Sequence, residues 1–187
     1  MIYLVRHART QPNSEEAALW PLSEEGRRQA ELLADLSFWR DVALIISSPE
    51  EKALATVRPA VARHGLRLSA DERLRELRRP AVWVSQERYE QIVDEAFAAP
   101  QRSVEGWEPA GDVARRVLAI TSELLAAPGK GNVALIGHGL SFSLLLAHLQ
   151  GLKRPSLEAW RAIPFAAVAA IDPSQGALQP RWIPAAP

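Results

Sequence analysis

Ile2-Tyr3-Leu4-Val5-Arg6-His7 is the stretch on which the fold turns. An unbroken apolar run of this length reads as a strand buried on both faces, and it stops at a cation and an imidazole. The same pattern recurs downstream. Residues 42–46 form a second apolar run, closed by Ser47-Ser48-Pro49, and residues 132–136 form another, running into Gly137-His138-Gly139. A short third strand is expected at 66–69. Helical patterns fall between these runs. Ser23 is placed as an N-cap before Glu24 and Glu25, whose charges suit the positive end of a helix dipole. A helix over 49–63 starts with Pro49 behind a Ser cap, is interrupted or kinked at Pro59, and ends at His64-Gly65. Further helices are expected at about 85–98, at 112–126 (stopped by Pro128-Gly129) and at 140–149. Closing strands are expected at 166–171 and about 178–183. Strands alternating with helices predict a three-layer α/β/α fold with a mostly parallel central sheet. We read residues 1–187 as one domain, with a variable cap or insert at about 71–107. In such sheets ligands bind beyond the carboxyl ends of the strands, where Arg6-His7, Ser47-Ser48-Pro49 and His138-Gly139 all fall.

Composition narrows the function classes. The chain has 187 residues, with 22 Lys+Arg against 22 Asp+Glu. A net charge of zero argues against nucleic acid or a membrane surface as partner, because both call for a basic excess. The absence of cysteine excludes disulfides, thiolate metal sites and a cysteine nucleophile. The basic residues divide into 19 Arg and 3 Lys. The first apolar run is too short for a signal-peptide core, and the run at 163–171 contains Pro164 and is far short of a membrane span. A cytoplasmic protein is expected.

A lone histidine is usually structural or exposed. His7 and His138 differ by position, since each ends a buried strand and the topology sends both to one crevice. Two histidines with Arg6 and Asn13 close by suit an anionic tetrahedral ligand. Arg offers phosphate a planar fork of donors, and a neutral imidazole can attack phosphorus.

These residues resemble a known family. Arg6-His7-Ala8-Arg9-Thr10-Gln11-Pro12-Asn13 resembles the RHGxTxxN opening of the histidine phosphatase superfamily, which includes cofactor-dependent phosphoglycerate mutases. The stretch from Pro21 to Ala30 resembles PLTxxGxxQA, and that from Ser47 to Thr56 resembles SSPxxRAxQT. Leu74-Arg75-Glu76 resembles the element carrying the family's acid. Glu108 falls at the Glu of its GES motif, and Ile136-Gly137-His138-Gly139 resembles its second-histidine motif. Order and spacing agree from residue 2 to about 150. The resemblance implies a phosphoglycerate mutase-like fold and a metal-independent phosphatase that hydrolyses a small phosphorylated metabolite through a phosphohistidine. His7 would be the nucleophile and Glu76 the general acid. Arg6, Asn13, Lys52 and His138 would hold the phosphoryl oxygens, with no metal and no cofactor. The alternatives are phosphoryl transfer of the phosphoglycerate mutase type, disfavoured by the short chain, and a catalytically weakened member that binds a phospho-ligand.

Departures from the pattern shape these expectations. Ala8 replaces a Gly, which would cost about 1 kcal/mol or more if the position needed a positive φ. Arg9 stands where Glu or Gln is more usual. Lys52 replaces an Arg, keeping the charge but losing the bidentate fork. The stretch 77–83 lacks the Gly and the WEG pattern that often follow the acid, which makes Glu108 the next candidate, against a bland role near the start of a helix. Arg73, Arg75, Arg78 and Arg79 read as a partly self-paired face or as a rim for a second anion. Trp83, Tyr89, Phe97 and Trp107 read as lid or core packing that could border a leaving-group pocket. His64 and His148 are given no catalytic role.

Overall fold

The structure is a computed structural model that describes residues 1–127, 131–172 and 182–185. Six strands form one sheet: β1 (Ile2–Arg6), β2 (Val42–Ser47), β3 (Leu68–Ala70), β4 (Asn132–Gly137), β5 (Ala167–Ile171) and β6 (Ile183–Pro184). Their order is β3-β2-β4-β1-β5-β6. The first four in that order run parallel, and β5 pairs antiparallel with β1 and with β6. The helices are α1 (Glu24–Ala34), α2 (Glu51–His64), α3 (Gln86–Ala98), α4 (Ala110–Leu125), α5 (Gly139–Leu149) and the short α6 (Leu157–Arg161).

The apolar runs explain the layering. Successive side chains of a strand point to opposite faces, so an unbroken run needs cover on both. Leu4, Val133 and Leu135 face one core with Val113, Val117 and Leu145 of α4 and α5. Val5, Ala134 and Ile136 face the other, with Leu33 of α1 and Val57 of α2. This is the expected three-layer arrangement. No helix among the described residues is long and apolar enough to cross a membrane.

Several boundaries differ from expectation. The third strand lies at Leu68–Ala70, starting two residues and ending one residue later than predicted, and is exposed along its length at the sheet edge. Helix α2 begins at Glu51 rather than at residue 49. Ser48 Oγ accepts from Glu50 N–H at 3.3 Å, yet Glu50 occupies the cap position and its side chain makes no cap bond. Pro59 does not end α2, which continues to His64 and is closed by the left-handed Gly65 (φ 64°). Val57 and Ala60, buried on either side of the proline, hold the helix against the core despite the lost N–H. Ser23 caps α1 as expected, accepting from Gly26 N–H at 2.9 Å. Of the expected strand over 178–183, residues 178–181 lie outside the described residues, as does the expected helix stop at Pro128-Gly129. The 3-10 turns at Ala17–Leu19 and Ser37–Asp41, and helix α6, carry too few residues for a periodic pattern and were not anticipated.

Candidate active site

Register brings the strand ends together. Arg6 pairs with Gly137 across β1 and β4, and His7 N–H donates to Gly137 O at 3.0 Å. Ser48 N–H donates to Ile136 O at 2.8 Å, tying the end of β2 to the same rim. His7 and His138 therefore emerge side by side, with ring centroids 5.1 Å apart. Both are buried.

The tautomer of His7 follows from its neighbour. Nδ1 lies 2.7 Å from the Ala8 carbonyl, which can only accept, so Nδ1 carries the proton. Nε2 is left with its lone pair. Burial, then the charges of His138, Lys52 and Arg6, hold the His7 pKa well below the usual imidazole value, and the ring is neutral at pH 7. His138 is held down likewise, by burial first and then by Lys52 and Arg116. Its Nε2 lies 2.8 Å from Ser48 Oγ. In the tautomer where Ser48 donates, Nδ1 keeps its proton. That nitrogen is buried and has no partner among the described residues, and neither has Arg6 Nε. An unmatched guanidinium N–H and an unmatched imidazole nitrogen, both buried beside His7, are costly unless a ligand meets them.

Arg6 is fixed from both sides. One terminal nitrogen donates to Ile163 O, and the guanidinium lies 4.0 Å from the Phe165 ring centroid. A Cβ on Gly139 would stand 3.1 Å from Arg6 Cζ, so glycine lets the guanidinium settle against the start of α5. Burial lowers the Arg6 pKa to about 10, and it remains charged at neutral pH.

The motif residues outside the centre are scaffold. Thr56 Oγ1 accepts from Ala8 N–H at 2.9 Å and donates to Lys52 O at 2.7 Å. Gln29 Oε1 accepts from Arg9 N–H at 2.9 Å. A Cβ on Gly26 would lie 1.9 Å from Arg9 O, so only glycine lets α1 approach this loop. Ala8 does not share that need. It is fully buried and its φ is not positive, so its methyl carries no backbone strain.

Glu76 reaches the first turn of α5. Its carboxylate accepts from Leu77 and Ser141 N–H on one oxygen and from Leu140 N–H on the other, each at 3.0 Å. Burial raises its pKa, the bonds from Leu77 and Leu140 oppose this, and the nearby charge of Glu50 adds to the rise. Arg116 supports the strap of residues 71–79 that carries Glu76, donating to the carbonyls of Arg73, Arg75 and Glu76. Glu108 is the partner of Arg116 at 3.2 Å and accepts Arg78 N–H at 3.0 Å. That places Glu108 in the brace beneath the strap.

Lys52 is buried. Its Nζ donates to Ala17 O at 2.7 Å and pairs with Glu50 at 2.8 Å. Glu50 was passed over in the sequence. It falls inside a quoted motif, and an acid two positions before a lysine at a strand-to-helix junction is its only trace there. Asn13 is exposed on the loop after β1.

The rim is aromatic and cationic. Trp20 and Trp83 stack at 5.9 Å with 16° between planes. Arg79 lies 5.5 Å from the Trp20 ring, 4.8 Å from Tyr89 and 5.7 Å from Trp107. Arg73, Arg75 and Arg78 each face a carboxylate, whereas Arg79 has none within salt-bridge distance among the described residues. Burial, with the charge of Glu76 nearby, pushes the Tyr89 hydroxyl up to about 12. Phe97 is fully buried in the core and borders nothing.

A mostly parallel sheet of this order, covered by helices on both faces and carrying paired histidines at adjacent strand ends, defines a three-layer α/β protein. Residues 2–183 match the model of the histidine phosphatase superfamily (branch 1), and the chain belongs to that family. It is 32% identical over 164 residues to a Yersinia pestis protein named "Probable phosphoglycerate mutase GpmB", covering 81% of this chain and 75% of the relative. Among solved structures, a mycobacterial glucosyl-3-phosphoglycerate phosphatase in complex with inorganic phosphate superposes with a TM-score of 0.70 at 26% identity, over 90% of this chain and 87% of the other. The α-ribazole phosphatase of Shigella flexneri shares the fold, with a TM-score of 0.70 at 23% identity over 98% and 95% of the two chains.

Proposed function

We propose that the chain is a phosphomonoesterase that acts on a small phosphorylated metabolite through a phosphohistidine on His7. The observation carrying this reading is the free Nε2 lone pair of a neutral, buried His7 beside two unmatched buried nitrogens, Arg6 Nε and His138 Nδ1. Nε2 attacks phosphorus and the P–O bond to the leaving group breaks. The leaving oxygen takes the proton of Glu76, which burial keeps available. The Glu76 carboxylate then removes a proton from water as that water attacks the phosphohistidine. Inorganic phosphate leaves and His7 is neutral again. Splitting the displacement in two makes each half easier, and fixed cations and donors stabilise the charge on the phosphoryl oxygens. Arg6 and Lys52 supply that charge in this reading, the neutral His138 ring faces the same oxygens, and the reaction needs no metal. Asn13, exposed on the loop after β1, is left as a further donor to the phosphoryl oxygens. The leaving group rests on the Trp20–Trp83 shelf, where Arg79 is the cation left for a second anionic group.

The name of the Yersinia relative favours a second reading, phosphoryl transfer within one metabolite. One experiment tests both. The protein is given a panel of phosphomonoesters, and inorganic phosphate is measured alongside a search, after an alkaline quench, for acid-labile, base-stable phosphoprotein. Release of phosphate, abolished in His7→Ala and blocked by vanadate, supports the hydrolase. Phosphate retained in an isomerised product supports the transferase. Binding of phosphate with no turnover of any ester sinks both and leaves the weakened binder.

A further inference from the structure

Glu50 is a buried carboxylate that the mechanism does not use. One oxygen accepts Glu76 N–H at 2.9 Å and stands 3.6 Å from His138 Nε2. The other pairs with Lys52 Nζ at 2.8 Å. Both side chains of the pair are nearly inaccessible, at 5% and 7% exposure. A buried pair of this kind is seldom kept for stability alone, since desolvation offsets much of its attraction. Its placement matters more. Of the three N–H donors of the Lys52 ammonium, one is spent on Ala17 O and one on Glu50, which leaves one for a phosphoryl oxygen. The carboxylate also puts a negative charge beside the cation and the imidazole that would face an anion.

We propose that Glu50 is a positioning residue that tethers Lys52 and offsets its charge, so that the site grips phosphate weakly enough to release it. The inference rests on the phosphate-site reading above and adds to it a residue that limits product retention. It also gives the Lys at position 52 a reason. A compact ammonium can be shared between a tether and a ligand, whereas a guanidinium would be held by the carboxylate in a bidentate fork.

Calorimetric titration of the intact protein with inorganic phosphate at pH 7 tests this without relying on turnover. Glu50→Gln is expected to bind phosphate about tenfold more tightly than the parent chain. In a Lys52→Met background the same change is expected to shift the Kd by less than about twofold, because the effect passes through the ammonium. Unchanged or weaker binding in a folded Glu50→Gln protein overturns the proposal. So does an equal gain in the Lys52→Met background, which would mean that Glu50 acts on the ligand directly. Should Glu50→Gln fail to fold, Glu50→Leu removes the charge with a side chain of similar size. Loss of fold in both would make Glu50 a structural residue only, and the idea falls. If the parent chain and every variant fail to bind phosphate, the phosphate-site reading itself is wrong.

Discussion

The role assigned to each carboxylate near His7 follows from what its oxygens touch. Glu76 is held by backbone N–H groups alone, and its raised pKa suits a group that must hold a proton before it gives one up. Glu50 meets an ammonium, and Glu108 meets Arg116, so neither is placed to protonate a leaving group. The expected consequence is specific to the chemistry of that group. Glu76→Gln keeps the shape and can still accept from Leu140 or Ser141, but it has no transferable proton. For an alkyl phosphate, whose alkoxide must be protonated to leave, kcat is expected to fall by roughly 10²–10⁴-fold. For p-nitrophenyl phosphate, which leaves without help, the loss in the first step is expected to be below about tenfold. Single-turnover rates on the two substrates separate these cases. An equal loss on both would remove Glu76 from the role of acid.

At the level of elements, the strand ends were legible because each combines two independent constraints. An apolar run must be buried, and a parallel sheet sends the residues that follow such runs to one edge. Arg6, His7, Ser48 and His138 could therefore be placed beside one another before any coordinates. The strap from residue 71 to 79 could not. Its four arginines share one composition, yet Arg73 pairs with Asp71 and Glu123, Arg75 with Glu72 and Arg78 with Glu108, and Arg79 lies among aromatic rings. Asp71 and Glu72 are local partners, but Glu108, just before α4, and Glu123, within it, lie thirty residues or more from the arginines they meet, and no local pattern encodes those pairings. Glu50 was illegible for a similar reason, since its partners come from α2, the strap and the turn after β4. The strap also explains why Arg116 should matter. It satisfies three strap carbonyls and the buried side of Glu108 at once. Arg116→Ala strands those groups, and breaking such a buried pair typically costs about 3–5 kcal/mol. Urea unfolding should show a loss in that range, and kcat should fall because Glu76 loses its support. A second element-scale test is Gly26→Ala. The added methyl cannot coexist with Arg9 O at 1.9 Å, so α1 must shift, at a cost of about 1–3 kcal/mol or more. A variant as stable as the parent would show that this helix approaches the loop less closely.

Across the whole molecule, the site couples stability to pH through its buried titratable groups. His7 and His138 both have native pKa values well below 6.5, chiefly because they are buried. Below about pH 6.5 the unfolded chain takes up protons on these two rings while the native chain does not. Stability then falls with falling pH, because it rises with pH wherever the unfolded state binds more protons. The contribution of each ring is fully present above pH 6.5 and is lost as pH drops toward its depressed native value, with a slope of up to about 1.4 kcal/mol per pH unit. Glu76 runs the other way. Its native pKa lies above the ordinary 4.5, so its contribution is complete below 4.5 and is lost as pH rises through the native value. Two histidines set against one carboxylate leave a net loss on acidification. Melting temperatures should therefore hold from pH 7.5 to about pH 6.5 and fall from there to pH 5, and His7→Asn should remove about one ring's share of the slope. Equal slopes in the two proteins would mean that His7 is protonated in the native state at these pH values. An imidazolium there has no lone pair on Nε2, so the same titration also checks the nucleophile on which the proposed chemistry depends.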